Sequence, residues 1–596
     1  MSPSPSHSSS PQPKTLAEDL RGRSDDDISR LLTSRPDLLH PVPSDMRALT
    51  TRAATSPSIA RYLDTVDCLH HFALRIASEQ TTTEPTTLEQ IVDAIVSEVS
   101  DESVRTPARD AVEQLRLAAL LWGTDERLHV VTAVRDQVAA APVPTWPAPS
   151  CNADHARIDA TAIEQADVRG GIVAQELIET IEEIGDLWAL TPGPVLRSGG
   201  LSARALEALA ASLGRPKEEI TICLDLAWNA GLVAQGSTGS DIGWMPTAAF
   251  ESWGSDPAAK RWAVIARAWR DRASITGDRP LVDTDNALIR TWRSHLLAVL
   301  TDAERACDLP TALAIVDYRW PRRRGTRRTE VLEATWTEAE QLGILVDGVL
   351  TDAGRSLASD AASAALASSI ARTLPSEVDR VHIQADHTIV APGPLEPALG
   401  RRLRMIADVE SRGHATVFRL TNASIKRALS IEPDPDSWQQ FLAGIGSKGL
   451  PQPVAYLIND ASRKIPAPRQ LHTAPAAPTP VRHAPIKASP TRVEKALDIL
   501  RARDERHIPQ IVAELANEEI PTMEGAAVVA ALRYSIDHHE TVRISHAESD
   551  GSTALLLVDP IRLGGGSLTA YDHHEEQVRT FAISRISGVA TVRISA

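Results

Sequence analysis

The chain has 596 residues, enough for roughly four domains, and its 43% hydrophobic and 23% charged residues are ordinary for a soluble globular protein. The net charge of −16 excludes a surface that is basic throughout but leaves room for local basic patches. Four widely separated cysteines without C-x-x-C spacing predict neither a disulfide framework nor a zinc site, no apolar run approaches the roughly 18 residues of a membrane span, and the cytoplasm is the expected location.

The first 145 residues predict a helical domain behind a short tail. Residues 1–14 are rich in Ser and Pro and have no apolar run, so we expect a disordered tail rather than a signal peptide. From residue 15, the capped start "SDDDISRLL" and the apolar spacing of "SIARYLDTVDCLHHFALRIAS" predict successive helices. The alternating stretch "RLHVVTAV" follows, and helices followed by a hairpin are the order of a winged helix. We therefore predict a helical, winged-helix domain over 15–145.

The same order of elements recurs twice further along the chain. Within 155–275, "SARALEALAASLG" and "PKEEITICLDLAWNAGLVAQ" predict two helices, and the Gly-rich "GSTGSDIGWMPT" predicts a wing. Within 276–377, the long helix of "RRTEVLEATWTEAEQLGILVD" runs into "GVLTDAG", which resembles the exit into another wing. Some winged helices bind DNA and others bind only protein, so this fold leaves the function open.

Two more domains and a linker complete the chain. "HIQADHTIVAPGPLEPALG" predicts a strand ended by a Pro-Gly-Pro turn and then a helix, the start of a small α/β domain at 378–465. Residues 466–490 contain seven prolines and no acid, which predicts an extended linker. Residues 491–596 begin as helix and continue from about residue 540 as alternating, turn-punctuated strands, which predict a small barrel-like β domain.

The motifs of common catalytic centres are missing from the sequence. There is no G-x-x-x-x-G-K-[ST] phosphate loop, and "GIGSKG" at 444–449 lacks the spacing and the Lys-Ser/Thr pair that cradle phosphates and magnesium. Neither a G-x-S-x-G elbow nor an H-E-x-x-H metal pair occurs. We therefore expect no catalytic residue, no cofactor and no metal, and hence no enzyme activity of the chain's own.

The stretch from Val381 to about Arg463 resembles the helicase-associated module of actinobacterial proteins related to XPB-type helicases. The resemblance lies in "HIQADHTIVAPGPL", "VESRGHATVFRLTNASIKRAL" and "LPQPVAYLINDASRK". Blocks such as "VLRSGGLSARALEALAASLG" extend it over most of residues 15–465. In XPB-type helicases a comparable module sits beside the motor and helps to engage distorted DNA. The resemblance implies a bacterial protein that binds DNA beside a separate helicase or the transcription machinery.

The segment after the linker resembles a WYL domain, a bacterial Sm-like β-barrel, in "VRISHAESDG", "VDPIRL" and "SLTAYDHHEEQVRTFAISRISGV". WYL domains commonly accompany winged helices in transcriptional and DNA-damage regulators and bind nucleic-acid or nucleotide-like effectors. The resemblance places Tyr571, Arg579 and Arg585 on the effector side. The Trp-Tyr-Leu triplet is replaced around "GSLTAY" and the usual Arg before "VDP" is absent, which leaves a purely structural barrel open.

Arginine is concentrated in stretches that suit phosphate oxygens. "RWPRRRGTRR" at 319–328 contains no acid, and residues 401–427 carry seven basic residues against two acids. The alternative is that these arginines are solvated or pair with the protein's own carboxylates. The predicted nucleic-acid-binding residues are Arg319, Arg322, Arg323, Arg324, Arg327, Arg328, Arg401, Arg402, Arg404, Arg412, Lys426 and Arg427.

The expected fold class is mainly α with α+β modules: tandem winged-helix-like domains, a small α/β helicase-associated domain and a C-terminal Sm-like β-barrel. The expected function is a non-catalytic DNA-binding protein, accessory to a helicase in DNA repair or transcription. Two alternatives stay open. One is an effector-sensing transcriptional regulator that uses the WYL-like barrel, and the other is a protein–protein scaffold. The expected partners are DNA and a separate helicase or the transcription machinery, with no membrane.

We expect the purified chain neither to bind ATP tightly nor to hydrolyse it, because the sequence has no loop that cradles its phosphates. An ATPase assay with and without DNA measures this. Steady turnover that a point mutation in this chain abolishes would contradict the prediction.

Overall fold

The computed structural model describes residues 13, 15–81, 85–151, 155–239, 241–277, 279–282, 286–413, 415–463, 471–475, 489–504, 520, 522–538, 542–547, 553–564, 566–572 and 577–591. The chain divides into two compact units, one of residues 1–42 and 47–494 and one of residues 43–46 and 495–596. No helix among the described residues is long and apolar enough to span a membrane. Most of the predicted N-terminal tail and of the 466–490 linker lies outside the described residues.

The N-terminal region is a bundle of short helices followed by a hairpin. Its elements are α1 (Leu16–Gly22), α2 (Asp25–Ser34), α3 (Met46–Ala53), α4 (Ser56–Leu63), α5 (Cys68–Gln80), α6 (Leu88–Val99), α7 (Arg105–Leu117), β1 (Leu121–Thr124), β2 (Arg127–Val130) and α8 (Thr132–Val138). The periodic stretch "SIARYLDTVDCLHHFALRIAS" is divided between two helices, α4 and α5. Asp67 accepts a hydrogen bond from the backbone N–H of His70 and so starts a new helix, α5.

A 31-residue helix, α9 (Ala160–Leu190), begins the next region and is capped by Asp159. The elements that follow it are β3 (Gly193–Pro194), α10 (Ala203–Leu213), α11 (Lys217–Asn229), β4 (Val233–Ser237), β5 (Ile242–Pro246), α12 (Ala248–Trp253) and α13 (Ala258–Asp271). The strands form an antiparallel sheet in the order β3-β5-β4. Two helices and a hairpin thus lie where the sequence predicts them.

The third region repeats a helix-and-hairpin arrangement. Its elements are α14 (Ala287–Asp302), α15 (Leu309–Arg319), α16 (Thr326–Gln341), β6 (Leu345–Val346), β7 (Val349–Leu350), α17 (Asp352–Ala358) and α18 (Ser363–Ala371). One continuous apolar core runs from Ala174 to Ile370 and joins this region to the preceding one. Gly170 of α9 allows the backbone of this helix to pack directly against the backbone at Gly343. A Cβ at position 170 would lie 2.3 Å from the carbonyl oxygen of Gly343.

The fourth region has its own core and a four-stranded antiparallel sheet in the order β10-β11-β9-β8. Its elements are β8 (His382–Ile383), β9 (Thr388–Ala391), α19 (Pro397–Ile406), β10 (Asp408–Ser411), β11 (Thr416–Arg419), α20 (Asn422–Ile431), α21 (Pro435–Ile445) and α22 (Gln452–Ser462). The predicted strand is a hairpin of two strands, because His387 takes a positive φ of 72° and reverses the chain. β9 ends directly before Pro-Gly-Pro, as predicted.

A short part of the predicted linker makes specific contacts. The backbone N–H of His472 donates to the carbonyl oxygen of Ala189 at 2.8 Å, and that of Ala474 donates to the carbonyl oxygen of Pro246 at 2.8 Å. Ala474 is buried. Residues 471–475 are therefore held against α9 and β5. This part of the predicted linker is packed against the protein and is not a free spacer.

The C-terminal region is a five-stranded antiparallel sheet covered by a helix. Its elements are α23 (Pro490–Asp504), α24 (Gly525–His538), β12 (Val542–Ala547), β13 (Thr553–Gly564), β14 (Ser567–Asp572), β15 (Gln577–Ala582) and β16 (Ile586–Thr591). The strand order is β15-β14-β13-β12-β16, and within the described residues the edge strands β15 and β16 do not pair with each other. The predicted closed barrel is therefore not observed. Val528 and Leu532 of α24 pack against the apolar face that a closed barrel would enclose.

A buried carboxylate holds α13, α14 and α16 together. Glu338 accepts hydrogen bonds from the indole N–H of Trp269 at 2.6 Å and from the backbone N–H of Thr276 at 2.8 Å. It is ion-paired with the guanidinium groups of Arg272 and Arg293. Burial alone would raise the pKa of Glu338, but the two arginines outweigh it and hold the pKa below its ordinary value.

We expect Glu338→Gln to lower the stability of this core by about 3–5 kcal/mol, because it leaves two buried guanidinium groups without a countercharge. Because the pKa of Glu338 is lowered, the stabilisation by its carboxylate is complete above about pH 4.5, the ordinary pKa of a glutamate. That stabilisation is lost as the pH falls further. Thermal unfolding measures both effects. Glu330→Gln, an exposed change on the same helix, is the control, and equal midpoints for the two variants would refute the role of Glu338.

Candidate nucleic-acid interface

The arginine-rich segment 319–328 forms the tight connection between α15 and α16. Arg328 is 2% exposed, and it donates to the carbonyl oxygen of Trp320 at 2.6 Å and pairs with the carboxylate of Asp317. The ring of Trp320 stacks on that of His295 with centroids 3.9 Å apart. Arg328 therefore stabilises the connection through buried contacts, and its guanidinium is not available to a ligand.

Three neighbouring arginines bind the turn between α4 and α5. The side chains of Arg322 and Arg323 both pair with the carboxylate of Asp64, at 2.9 Å and 3.4 Å. Arg324 donates to the sulfur of Cys68 at 2.8 Å and, through Nε, to the carbonyl oxygen of Asp317 at 3.1 Å. These contacts occupy much of the donor capacity of Arg322 and Arg324, while the side chain of Arg323 remains 54% exposed.

Arg319 and Arg327 are, with Arg323, the accessible arginines of this segment. Arg319 pairs with Asp302 at 2.6 Å and its side chain is 38% exposed. Arg327 pairs with Glu330 one turn further along α16 at 3.2 Å, and its side chain is 53% exposed. Exposed ion pairs of this kind are weak, so a phosphate competes with the carboxylate on similar terms.

The second arginine group faces the acidic side of α9. Arg404 of α19 donates through Nε to Asp186 at 2.8 Å and through Nη2 to Glu182 at 3.0 Å. Arg412, just after β10, pairs with the carboxylate of Glu183 and donates to the carbonyl oxygen of Leu213 at 2.9 Å. These ion pairs join the 381–463 region to α9.

Arg401 and Arg261 extend the same contact. Arg401 donates to the carbonyl oxygen of Glu251 at 3.4 Å and to the hydroxyl of Ser255 at 3.2 Å. The buried Arg261 of α13 pairs with Glu182, so this carboxylate accepts from two guanidinium groups.

Burial and charge act against each other on the acidic side of α9. Burial raises the pKa of Asp186, and the guanidinium of Arg404 partly offsets that rise. Burial also raises the pKa of Glu179, about two turns before Asp186 on the helix. Burial alone would lower the pKa of Arg404, but the carboxylates of Asp186 and Glu182 raise it above its ordinary value. Arg404 is thus a fixed countercharge inside the protein.

The remaining members of the second group lie around α20. Arg402 pairs with Glu432 at 3.1 Å and its guanidinium lies over the rings of Trp438 and Phe441. Arg427 pairs with Asp408 at 2.8 Å. Lys426, on the same helix, is half-buried. The 401–427 arginines are therefore distributed over several contacts and do not form one continuous basic face.

The predicted effector-side residues lie on β14, on β15 and in the short turn after β15. Tyr571 is buried in β14, opposite Val578 of β15. Arg579 pairs with the fully buried carboxylate of Asp572 at 2.7 Å, and its guanidinium lies over the ring of Phe581. Arg585 is exposed. Tyr571 and Arg579 are thus brought to adjacent strands, and one of Arg579's donors is already engaged.

The sequence analysis missed a different group of exposed residues at the edge of the β8 strand. Arg380, His382 and Lys448 are exposed there, and Tyr456 of α22 is 64% exposed. The signal in the sequence is the string "GIGSKG", a lysine between glycines that does not fit the phosphate loop of ATPases.

Residues 381–474 match the helicase conserved C-terminal domain. This match agrees with the helicase-associated character predicted for the region. Among solved structures, the chain is similar to the proteasome accessory factor B/C (PafBC) of Arthrobacter aurescens at 12% identity. That similarity covers 61% of this chain and 47% of the other, less than half of its length, with a TM-score of 0.11, and it carries no argument. No curated protein matches the chain.

We expect Arg404→Gln to lower stability by up to about 3 kcal/mol, because it leaves the carboxylates of Glu182 and Asp186 with less countercharge. Folding raises the pKa of Asp186, so the contribution of this carboxyl group to the stability of the protein increases as the pH falls. The stability lost in the variant should therefore be smaller at about pH 5 than at about pH 8. Thermal unfolding at both pH values measures this. Arg463→Gln, at a side chain that is 82% exposed, is the control. Equal losses at the two pH values would contradict the role of the carboxylates.

Proposed function

We propose that the chain is a non-catalytic DNA-binding protein that acts beside a separate helicase, of the XPB type, in DNA repair or transcription. The observation that carries this proposal is the match of residues 381–474 to a helicase C-terminal domain. The sequence around that domain has no phosphate loop. A helicase-type domain without a motor in the same chain is suited to holding DNA for a motor on another chain.

The order of elements in the second region supports DNA binding. A helix, a strand, two helices and a hairpin follow one another from α9 to β5, and the first strand pairs with the last. We assign this region, and the helix-and-hairpin regions on either side of it, as winged-helix domains. Domains of this kind commonly place a helix in the major groove of DNA.

The direct phosphate contacts that we propose are the predicted basic residues that stay at the surface. They are Arg319, Arg323 and Arg327 in the connection between α15 and α16, with Lys426 on α20. The other predicted residues are engaged with groups of the protein itself, and we do not assign them direct phosphate contacts: Arg322, Arg324, Arg328, Arg401, Arg402, Arg404, Arg412 and Arg427.

A second candidate function is sensing of an effector by the C-terminal WYL-like region. Arg579 keeps a third of its side chain exposed while Asp572 fixes its orientation, and Arg585 is exposed in the following turn. Two guanidinium groups, one on the edge strand β15 and one in the turn after it, suit a nucleotide-like anion. Under this alternative, binding of such an anion would change the affinity for a specific promoter.

We expect weak, largely sequence-independent DNA binding that falls steeply with salt, by about 0.9 in log affinity per log unit of salt for each phosphate contact on duplex DNA. Removal of Arg319, Arg323 and Arg327 as a triple alanine variant should weaken binding to all sequences alike and flatten that slope. Fluorescence anisotropy with duplex, forked and single-stranded DNA across a salt series measures both quantities.

A matched control removes three arginines elsewhere that are at least as exposed: Arg30, Arg169 and Arg372. It changes the net charge by the same amount and should leave the slope unchanged. If the wild-type chain binds no DNA at low salt, the proposal fails and a protein–protein scaffold is the better account. Promoter-specific protection in footprinting would favour the effector-sensing regulator.

A further inference from the structure

The loop that joins α21 to α22 places an exposed lysine between two glycines, in the order Gly446-Ser447-Lys448-Gly449. A Cβ on Gly446 would lie 2.6 Å from the carbonyl oxygen of Gly449, and Gly449 takes a φ of +76°, so the turn requires both glycines. Nothing lies within 4 Å of the position that a Cβ of Gly449 would occupy. A ligand can therefore approach the backbone of this loop closely.

The loop is fixed to the edge of the β8-containing sheet. The backbone N–H of Val381 donates to the carbonyl oxygen of Ile445 at 3.0 Å, and that of Ser447 donates to the carbonyl oxygen of Val381 at 2.9 Å. The side chains of His382 and Ser447 are hydrogen-bonded at 2.7 Å. These bonds hold the loop in one position before any ligand arrives, which reduces the entropic cost of binding.

Lys448 within the loop and Arg380 beside it are two cations without a carboxylate partner among the described residues. The guanidinium of Arg380 donates to the carbonyl oxygen of Gly444 at 3.1 Å, which directs it along the loop. Among the residues that the structure describes, neither Arg380 nor Lys448 takes part in an ion pair, whereas Arg404, Arg412 and Arg427 of the same region all do. Arg380 and Lys448 are exposed and keep their charge for an external anion.

An exposed aromatic ring lies one helical turn beyond the start of α22. Tyr456 is 64% exposed, and the side-chain amide of Gln452 donates to its hydroxyl at 3.3 Å. Tyr456 thus exposes its ring on the helix that directly follows the loop, where the ring can stack on a base.

We propose that the 446–449 loop, Arg380, His382 and Tyr456 form a binding site for single-stranded DNA. The loop and its two cations hold the sugar-phosphate backbone, and Tyr456 stacks on an unpaired base. A Gly-x-x-Gly loop between two helices clamps a nucleic-acid backbone in other small α/β domains, and base stacking on an aromatic ring tolerates any sequence. In a duplex the base faces are covered, so Tyr456 contributes only on a single strand.

This inference rests on the proposed function and assigns it a surface and a preferred form of DNA. The test compares the full chain with Arg380→Ala/Lys448→Ala in fluorescence anisotropy with a labelled oligothymidine, the same length of duplex, and an RNA oligouridine. We expect the double variant to lose about tenfold or more in affinity for oligothymidine at low salt. The slope of log affinity against log salt should flatten by about 0.7 for each lost contact on a single strand.

The matched control is Lys260→Ala/Arg372→Ala, which removes two exposed charges from another part of the chain. It should bind oligothymidine like the wild type. Thermal unfolding of both double variants verifies that they fold, as their exposed positions lead us to expect.

Tyr456 is tested separately because its role differs from that of the cations. Tyr456→Leu should weaken binding of oligothymidine about fivefold or more without changing the salt slope, and Tyr456→Phe should restore most of the affinity, since the ring is retained. Neither variant should alter binding of the duplex.

The outcomes separate this inference from the proposed function. If the wild type binds DNA but the Arg380/Lys448 variant binds oligothymidine as well as its control does, the site is overturned and the proposed function stands. If the wild type binds oligouridine and not oligothymidine, the assignment to DNA is overturned. If the wild type binds none of the three probes at low salt, both proposals fail.

Discussion

The acidic face of α9 is the constraint on which the larger unit depends. Glu182 accepts from the guanidinium groups of both Arg261 and Arg404, and Glu183 and Asp186 receive Arg412 and Arg404. The opposite face of the helix lies in the apolar core that runs from Ala174 to Ile370. One helix therefore joins a hydrophobic core to a layer of ion pairs. The 381–463 region is attached to the helix through these ion pairs. Carboxylates so buried tolerate their charge only while these arginines remain in place.

This arrangement separates arginine content from nucleic-acid affinity. Segment 319–328 is the most basic in the sequence, yet Arg328 is buried and Arg322 and Arg324 contact the turn between α4 and α5. In a chain of net charge −16, carboxylates are plentiful enough to engage many of the arginines. A basic side chain that is exposed and has no carboxylate partner indicates anion binding better than a high arginine content does. Among the described residues, Arg380 and Lys448 are exposed and take part in no ion pair.

In the helicase-type region, one short segment of sequence fails one binding motif but forms a different kind of loop. "GIGSKG" fails as an ATP-binding loop because the Lys-Ser/Thr pair is missing. In the folded chain the same residues form a turn hydrogen-bonded to the edge of a sheet, beside Arg380 and His382. Val381 and Ile445 are distant in sequence, so the residue pattern gave no indication that the loop and the strand are adjacent.

The sequence by itself determined the local elements: capping residues and apolar periodicity placed the helices, and Pro-Gly-Pro ended β9, because these signals act within a few residues. It also identified the helicase-type region. Only the tertiary structure decided that the periodic stretch 58–78 divides into two helices before Asp67, that the C-terminal sheet is open among its described strands, and that Arg404 faces Asp186. The reason is that ion pairing and burial depend on contacts between residues far apart in the chain, and a basic stretch reads the same whether its partner is a phosphate or a carboxylate.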